Sequence, residues 1–403
     1  MREQPVEAGF GFGATFFTSS GQTFFISLFV PSLVIALPLT EGQFGTVYGM
    51  GTLIGAAILP FIAARYDTTP LASYTRWVLW GMGGAALLMA CTFHPLMLML
   101  AVTGLRLTGP GLITHIAHTT MAKGFEKRRG VALGISALGY AGGEALLPPL
   151  VAALLLWFSW QSIWAAIAVL YLFFLPWAAT ALIRRARFET FVARDFNSAS
   201  TPPARGHLRR SFRTMSAERR FWWLLPTQML IPMLMTAVFL YQAPIALSKG
   251  WSLSYMASLF TAFAICRAGT TLVAGRRIDR VGALSMAPWV PLPAAAALGL
   301  LAWIDTPLIG LVAFCLIGLT FGAASSVFTA MWAEIYGNEQ LGAIKGMTGS
   351  LAVFSSAAGP VIAGLLLEAG VGFPAMLTGF AIALGLASVS AVIGRRQSSD
   401  ARG

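Results

Sequence analysis

Twelve apolar runs follow one another along the 403-residue chain, at approximately 10–37, 44–64, 77–93, 96–122, 131–155, 162–183, 221–247, 253–274, 284–304, 307–333, 344–367 and 373–394. Each is close to the roughly 20 residues that cross a bilayer as an α-helix. In lipid a backbone must satisfy its own polar groups, so the expected fold is all-α, with 12 transmembrane helices. Composition agrees: 57% of residues are hydrophobic and 10% are charged, and the mean hydropathy is +0.74. A soluble domain carries about 25% charged residues.

The net charge of +12 suggests nucleic acid until its distribution is read. With both termini on one side, that side receives 24 of the 27 Lys and Arg residues, and the other receives Lys249 alone. Arg106 and Arg267 lie within spans. This positive-inside bias places both termini in the cytoplasm and excludes a nucleic-acid partner. The one long connection, 184–220, is Arg-rich, contains SASTPPARG and is expected to lie on the anionic inner leaflet. It divides the chain into an N-terminal six-helix bundle (1–183), a cytoplasmic basic linker (184–220) and a C-terminal six-helix bundle with a short tail (221–403). The first apolar run is too long for a cleavable signal peptide and lacks a basic flank. Cys91, Cys266 and Cys315 fall in apolar runs without metal-ligand spacing and read as small packing residues.

The halves repeat at an offset of 212 residues. Arg65 and Asp67 match Arg277 and Asp279; Leu107 and Thr108 match Leu319 and Thr320; Gly130, Gly134, Ala145 and Pro148 match Gly342, Gly346, Ala357 and Pro360. Two six-span repeats in the same orientation imply two pseudo-symmetric bundles with a solute site between them.

Three stretches carry a family resemblance. GRRIDRVG (275–282) is close to the loop signature between the second and third helices of a half in the major facilitator superfamily. ARYDTT (64–69) is its degraded counterpart, and GLRLTGPG (104–111) resembles the helix 4 signature that begins with arginine. KGFEKRRGVALGISALGYAGGEALLPPL (123–150) and MWAEIYGNEQLGAIKGMTGSLAVFSSAAGPVIAG (331–364) resemble the monocarboxylate-transporter-like branch and its bacterial relatives. The resemblance implies a monomeric secondary transporter of the bacterial inner membrane, working by alternating access without a cofactor. It also implies gating by Arg65, Asp67, Arg276, Arg277, Asp279 and Arg280, whose charges can bond helix ends at the cytoplasmic junctions.

Three ionisable residues sit deep in spans: Arg106, Glu144 and Arg267. Their repeat counterparts are Gly318, Ser356 and Gly55, so the scaffold itself requires no charge at these positions. At 1.5 Å per residue, Arg106 and Glu144 lie about 25 and 20 Å from the cytoplasmic end, and Arg267 and His115 about 12 Å. Two pairings compete. Glu144 neutralises Arg106, leaving Arg267 for an anion, which is the favoured arrangement; or Glu144 reaches Arg267 and releases it on protonation. Arg267, in TAFAICRAGTTLVAG (261–275), has no acidic residue within ten positions, the nearest being Asp279. In monocarboxylate-type relatives the arginine at this place in helix 8 is taken to bind the substrate carboxylate. The animal transporters carry an aspartate four residues before it, where this chain has Phe263, and a lysine in helix 1, which is missing here. A coupled proton must therefore ride on Glu144, His115 or the substrate.

Gln22 and Thr23, with Ser19 and Ser20, are candidate solute contacts in helix 1, and Tyr48 in helix 2. Packing explains Tyr241 and Trp332 as well as a cavity does. His115 and His118 share a helical face, but no third ligand is spaced to make a metal site. The expected function is transport of a small organic anion, a mono- or dicarboxylate, coupled to protons. The alternative is a drug or metabolite exporter, weakened by GYAGGE standing where the drug antiporters carry G-P-x-x-G-G. A sensor of the same fold would need a larger cytoplasmic domain than 184–220. No nucleophile–base constellation or phosphate loop points to an enzyme.

Overall fold

The computed structural model describes residues 5–125, 129–186, 188, 215, 217–337 and 341–397. Most of the 184–220 linker, and 126–128 of the KGFEKRRG stretch, lie outside the described residues. Among the described residues the regular structure is helical, without a strand. Ten helices are long and apolar enough to cross a membrane, and the bent pair Val6–Gly21 and Thr23–Ala36 makes an eleventh span. Leu71–Ala90, 20 residues long, completes twelve. The chain divides into two compact units, Met1–Ser200 and Thr201–Gly403.

In the first unit, span 1 is the bent pair, and span 2 is Glu41–Asp67. Span 3 is Leu71–Ala90. Spans 4, 5 and 6 are Pro95–Gly124, Val131–Leu154 and Trp160–Arg185. Span 1 packs on span 5, span 2 on span 4, and span 3 on spans 4 and 6. In the second unit, spans 7 to 12 are Arg219–Leu240, Leu253–Val281, Ala283–Trp303, Pro307–Tyr336, Met347–Glu368 and Phe373–Arg396. Span 8 packs on span 10, span 7 on spans 11 and 12, and span 9 on spans 10 and 12.

The repeat extends to the helix caps. Thr40 Oγ1 accepts from the Gln43 amide at 3.1 Å, with a reciprocal bond that closes a capping box. Ser252, 212 residues later, caps span 8 through the Tyr255 amide, also at 3.1 Å. Each hydroxyl satisfies one of the amides left over at a helix start.

Two span limits differ from the hydropathy reading. Span 3 starts at Leu71 rather than 77, because its first turns are polar yet satisfied within the unit: Tyr74 donates to the Ile62 carbonyl at 3.0 Å and Arg76 to Ser73 at 3.4 Å. Span 8 continues to Val281 rather than 274, since the GRRIDR turns are helical and exposed, beyond the apolar segment. Large apolar side chains turn outward, Phe61 and Trp177 each 77% exposed, as suits a surface in lipid.

Candidate functional site

Span 8 fixes Arg267. It is the fifteenth of 29 residues in Leu253–Val281, so it sits at the middle of its helix. One turn earlier Phe263, 1% exposed, joins a packed cluster with Phe239, Phe260, Phe314 and Phe321. The guanidinium carbon lies 6.0 Å from the Phe263 ring and 5.7 Å from the Phe321 ring. Ring faces attract a guanidinium, so the residue standing where the animal transporters have aspartate supports the cation without neutralising it.

Span 10 comes close to the same turn of span 8. A Cβ on Gly318 would meet the Phe263 carbonyl at 2.6 Å, and one on Gly322 the Arg267 carbonyl at 2.5 Å. The first unit has the same crossing with the roles exchanged. There the arginine is Arg106 of span 4, and the glycines are Gly51 and Gly55 of span 2. Their Cβ positions would meet the Met99 carbonyl at 2.9 Å and the Thr103 carbonyl at 3.1 Å. Each crossing thus holds one arginine and the glycine counterpart of the other arginine, with the arginine-bearing and glycine-bearing helices exchanged between the two units.

Arg267 lines a cavity of about 410 Å³ in the second unit. Gln228, Ser325, Thr329, Trp332 and Thr348 supply its polar wall, with Phe321 and Phe328 among the apolar residues. The Trp332 indole donates to Gln228 Oε1 at 2.6 Å. The three hydroxyls spend their protons on their own helices: Ser325 on the Gly322 carbonyl, Thr329 on Ser325 and Thr348 on Ile344, at 2.9 to 3.2 Å.

The other candidates are placed as follows. Arg106 Nη1 donates to the Gly21 carbonyl at 3.3 Å, and its guanidinium carbon lies 6.0 Å from the Tyr48 ring. The bond to Gly21 follows from the break in span 1. Gln22 is extended (φ −85°, ψ 154°), and the span bends by 50° there. Backbone carbonyls at such a break need donors from neighbouring spans, and Arg106 supplies one. A π-helical segment, Leu107–Ile113 with Pro110 inside it, follows Arg106 directly. Glu144 is 2% exposed on span 5, next to Gly143, where the chain packs against Ser19 of span 1. Thr23 and Tyr48 are both buried and hydrogen-bond each other at 2.7 Å, so they spend their hydroxyls on packing; Gln22 is partly exposed.

His115 lies edge-on to Tyr66, with ring centroids 5.4 Å apart. Tyr66 bonds Thr120 at 2.9 Å and lies under Lys123, whose Nζ pairs with Asp67 at 3.2 Å. The structure therefore groups His115 with the loop after span 2. His118 is exposed.

The Major Facilitator Superfamily profile matches residues 11–257 and 233–402. The chain belongs to the major facilitator superfamily. It is a multi-pass membrane transporter, acting on a small-molecule substrate. Solved transporters share the fold. The nucleoside transporter NupG superposes with a TM-score of 0.71 at 12% identity, covering 98% of each chain. A bacterial homologue of the human lysosomal transporter Spinster gives a TM-score of 0.63 at 15% identity, covering 98% of this chain and 96% of that one. No curated protein matches the chain by sequence.

In this superfamily member the two loop signatures are held by different contacts. Arg65 is exposed, and Asp67 pairs with Lys123. Arg276, Arg277, Asp279 and Arg280 are exposed, and Asp279 makes no ion pair among the described residues. Gly282 takes a left-handed φ of 78°, which turns the chain so that the next two amides face span 10. There Glu334 accepts from Ala283 at 2.6 Å and from Leu284 at 3.0 Å. Sequence reading passed over Glu334, Gln228 and Lys123. Glu334 lay inside a quoted stretch, and a carboxylate beside an aromatic run at a span end was its only signal.

Proposed function

We propose that the chain is a secondary active transporter that carries a small organic anion, a mono- or dicarboxylate, across the bacterial inner membrane by alternating access. One observation carries the reading. At mid-span, a cavity of about 410 Å³ has Arg267 on its wall, with two phenylalanine rings beside the guanidinium. A guanidinium keeps its charge at any accessible pH and matches a carboxylate with two parallel donors. Protons are the coupling ion in this reading, carried by Glu144, His115 or the substrate. The basic asymmetry supports cytoplasmic termini.

The test is uptake of labelled carboxylates into proteoliposomes, with and without a pH gradient. Uridine is the neutral comparator, because a nucleoside transporter is among the structural neighbours. Arg267→Ala abolishes carboxylate uptake while the protein stays folded, and Arg267→Lys weakens it by keeping the charge without the fork. Uptake of uridine in preference to every carboxylate, or full activity of Arg267→Ala, overturns the reading. Glu144→Gln uptake that no longer responds to a pH gradient would identify Glu144 as the proton carrier.

A further inference from the structure

We propose that Gln228 is a second substrate-reading group. It would make the preferred substrate an organic anion that bears a hydrogen-bond acceptor elsewhere on its skeleton, an oxo group in the simplest case. The inference rests on the anion reading above and adds a specificity that reading does not contain.

The argument begins with Trp332. An indole N–H can only donate, so the amide atom facing it at 2.6 Å must be the carbonyl oxygen, Oε1. That fixes the Gln228 amide without ambiguity between oxygen and nitrogen. Both Nε2 protons then lie on the other limb of the amide. Trp332 is 1% exposed and its ring packs against Phe221 and Tyr336, at 5.5 and 6.0 Å, so the donor that orients the amide is itself held. The remaining polar lining residues are hydroxyls whose protons go to their own helix carbonyls. They offer the cavity lone pairs only. Gln228 Nε2 and the Arg267 guanidinium are therefore the side-chain donors that this wall presents. An anion that satisfies Arg267 and has no second acceptor buries the Gln228 N–H groups without a partner, which costs binding. A site built around a fixed donor discriminates against a ligand that cannot use it.

The test titrates the purified full-length chain in detergent with hexanoate and with 2-oxo-, 4-oxo- and 5-oxohexanoate, by calorimetry. At least one oxo acid is expected to bind about ten-fold more tightly than hexanoate, the size of one hydrogen bond made in a cavity. Gln228→Leu removes that preference, and hexanoate affinity rises toward that of the oxo acids, because no N–H group is left without a partner. Trp332→Phe keeps the aromatic wall but frees the amide to rotate, so it reduces the preference while hexanoate affinity holds; it also serves if Gln228→Leu fails to fold. No preference for any oxo acid in the parent protein, or a preference that survives in Gln228→Leu, overturns the proposal and leaves the anion reading standing. Failure of all four acids to bind overturns both.

Discussion

Glu334→Gln tests how the two helices at one end of the second unit are joined. In the parent protein one carboxylate accepts two backbone N–H groups, from Ala283 at 2.6 Å and Leu284 at 3.0 Å. Glutamine keeps one acceptor and turns an NH₂ group toward the other amide, so one bond is lost and a donor faces a donor. Glu334 is exposed, which rules out a buried-charge magnitude. The comparable change is the loss of a helix cap, about 1 to 2 kcal/mol. The negative charge also leaves the start of span 9, which acts in the same direction. This corresponds to a roughly 5- to 30-fold rise in local opening, at ten-fold per 1.4 kcal/mol. Hydrogen exchange read by mass spectrometry on a peptide covering 281–286 measures it, with the interior of span 9 around Leu298 as an unchanged internal reference. Exchange at Ala283 and Leu284 within two-fold of the parent would refute the capping role. Equal acceleration throughout span 9 would refute its locality.

Three other outcomes follow from the geometry. Gly322→Val sets side-chain atoms against the Arg267 carbonyl, where a Cβ already meets it at 2.5 Å, so it lowers thermal stability by about 1 to 3 kcal/mol or more; Gly269→Ala, with nothing within 4 Å, is the neutral control in a melting assay. Asp67→Asn removes an exposed ion pair of 3.2 Å worth less than about 1 kcal/mol, so the melting temperature barely moves; a drop comparable to that of Gly322→Val would show the pair to be structural. A cysteine at position 200 stays unlabelled by impermeant maleimide in intact cells and reacts in inverted vesicles, and labelling from outside reverses the proposed topology.

The spans were legible because bilayer thickness sets their length and lipid forbids irregular backbone. Where polar residues are satisfied inside the unit, as with Tyr74 and Arg76, hydropathy placed the helix start six residues late. Arg267 stood out because an isolated charge in an apolar run is conspicuous. The break at Gln22 has no proline to announce it, so the donation from Arg106 to Gly21 could not be anticipated. Gln228 and Trp332 are uncharged and 104 residues apart, and no periodicity links such a pair. Glu334 meets its amides across 50 and 51 residues, a closure that the turn at Gly282 sets up only in three dimensions.

The two arginine crossings have a consequence for engineering. At each, glycines on one helix let the backbone of the arginine-bearing helix come close, and that helix is span 4 in one unit and span 8 in the other. A chain built from two copies of either unit would carry both arginines on equivalent helices and lose the asymmetry. Single substitutions that add an arginine opposite an existing one overfill the crossing. The paired exchange of Arg267→Gly with Gly318→Arg does not relieve this, because a Cβ at 318 meets the Phe263 carbonyl at 2.6 Å whatever stands at 267. Where the arginine can stand is thus set by which helix of the crossing presents glycines to its neighbour's backbone.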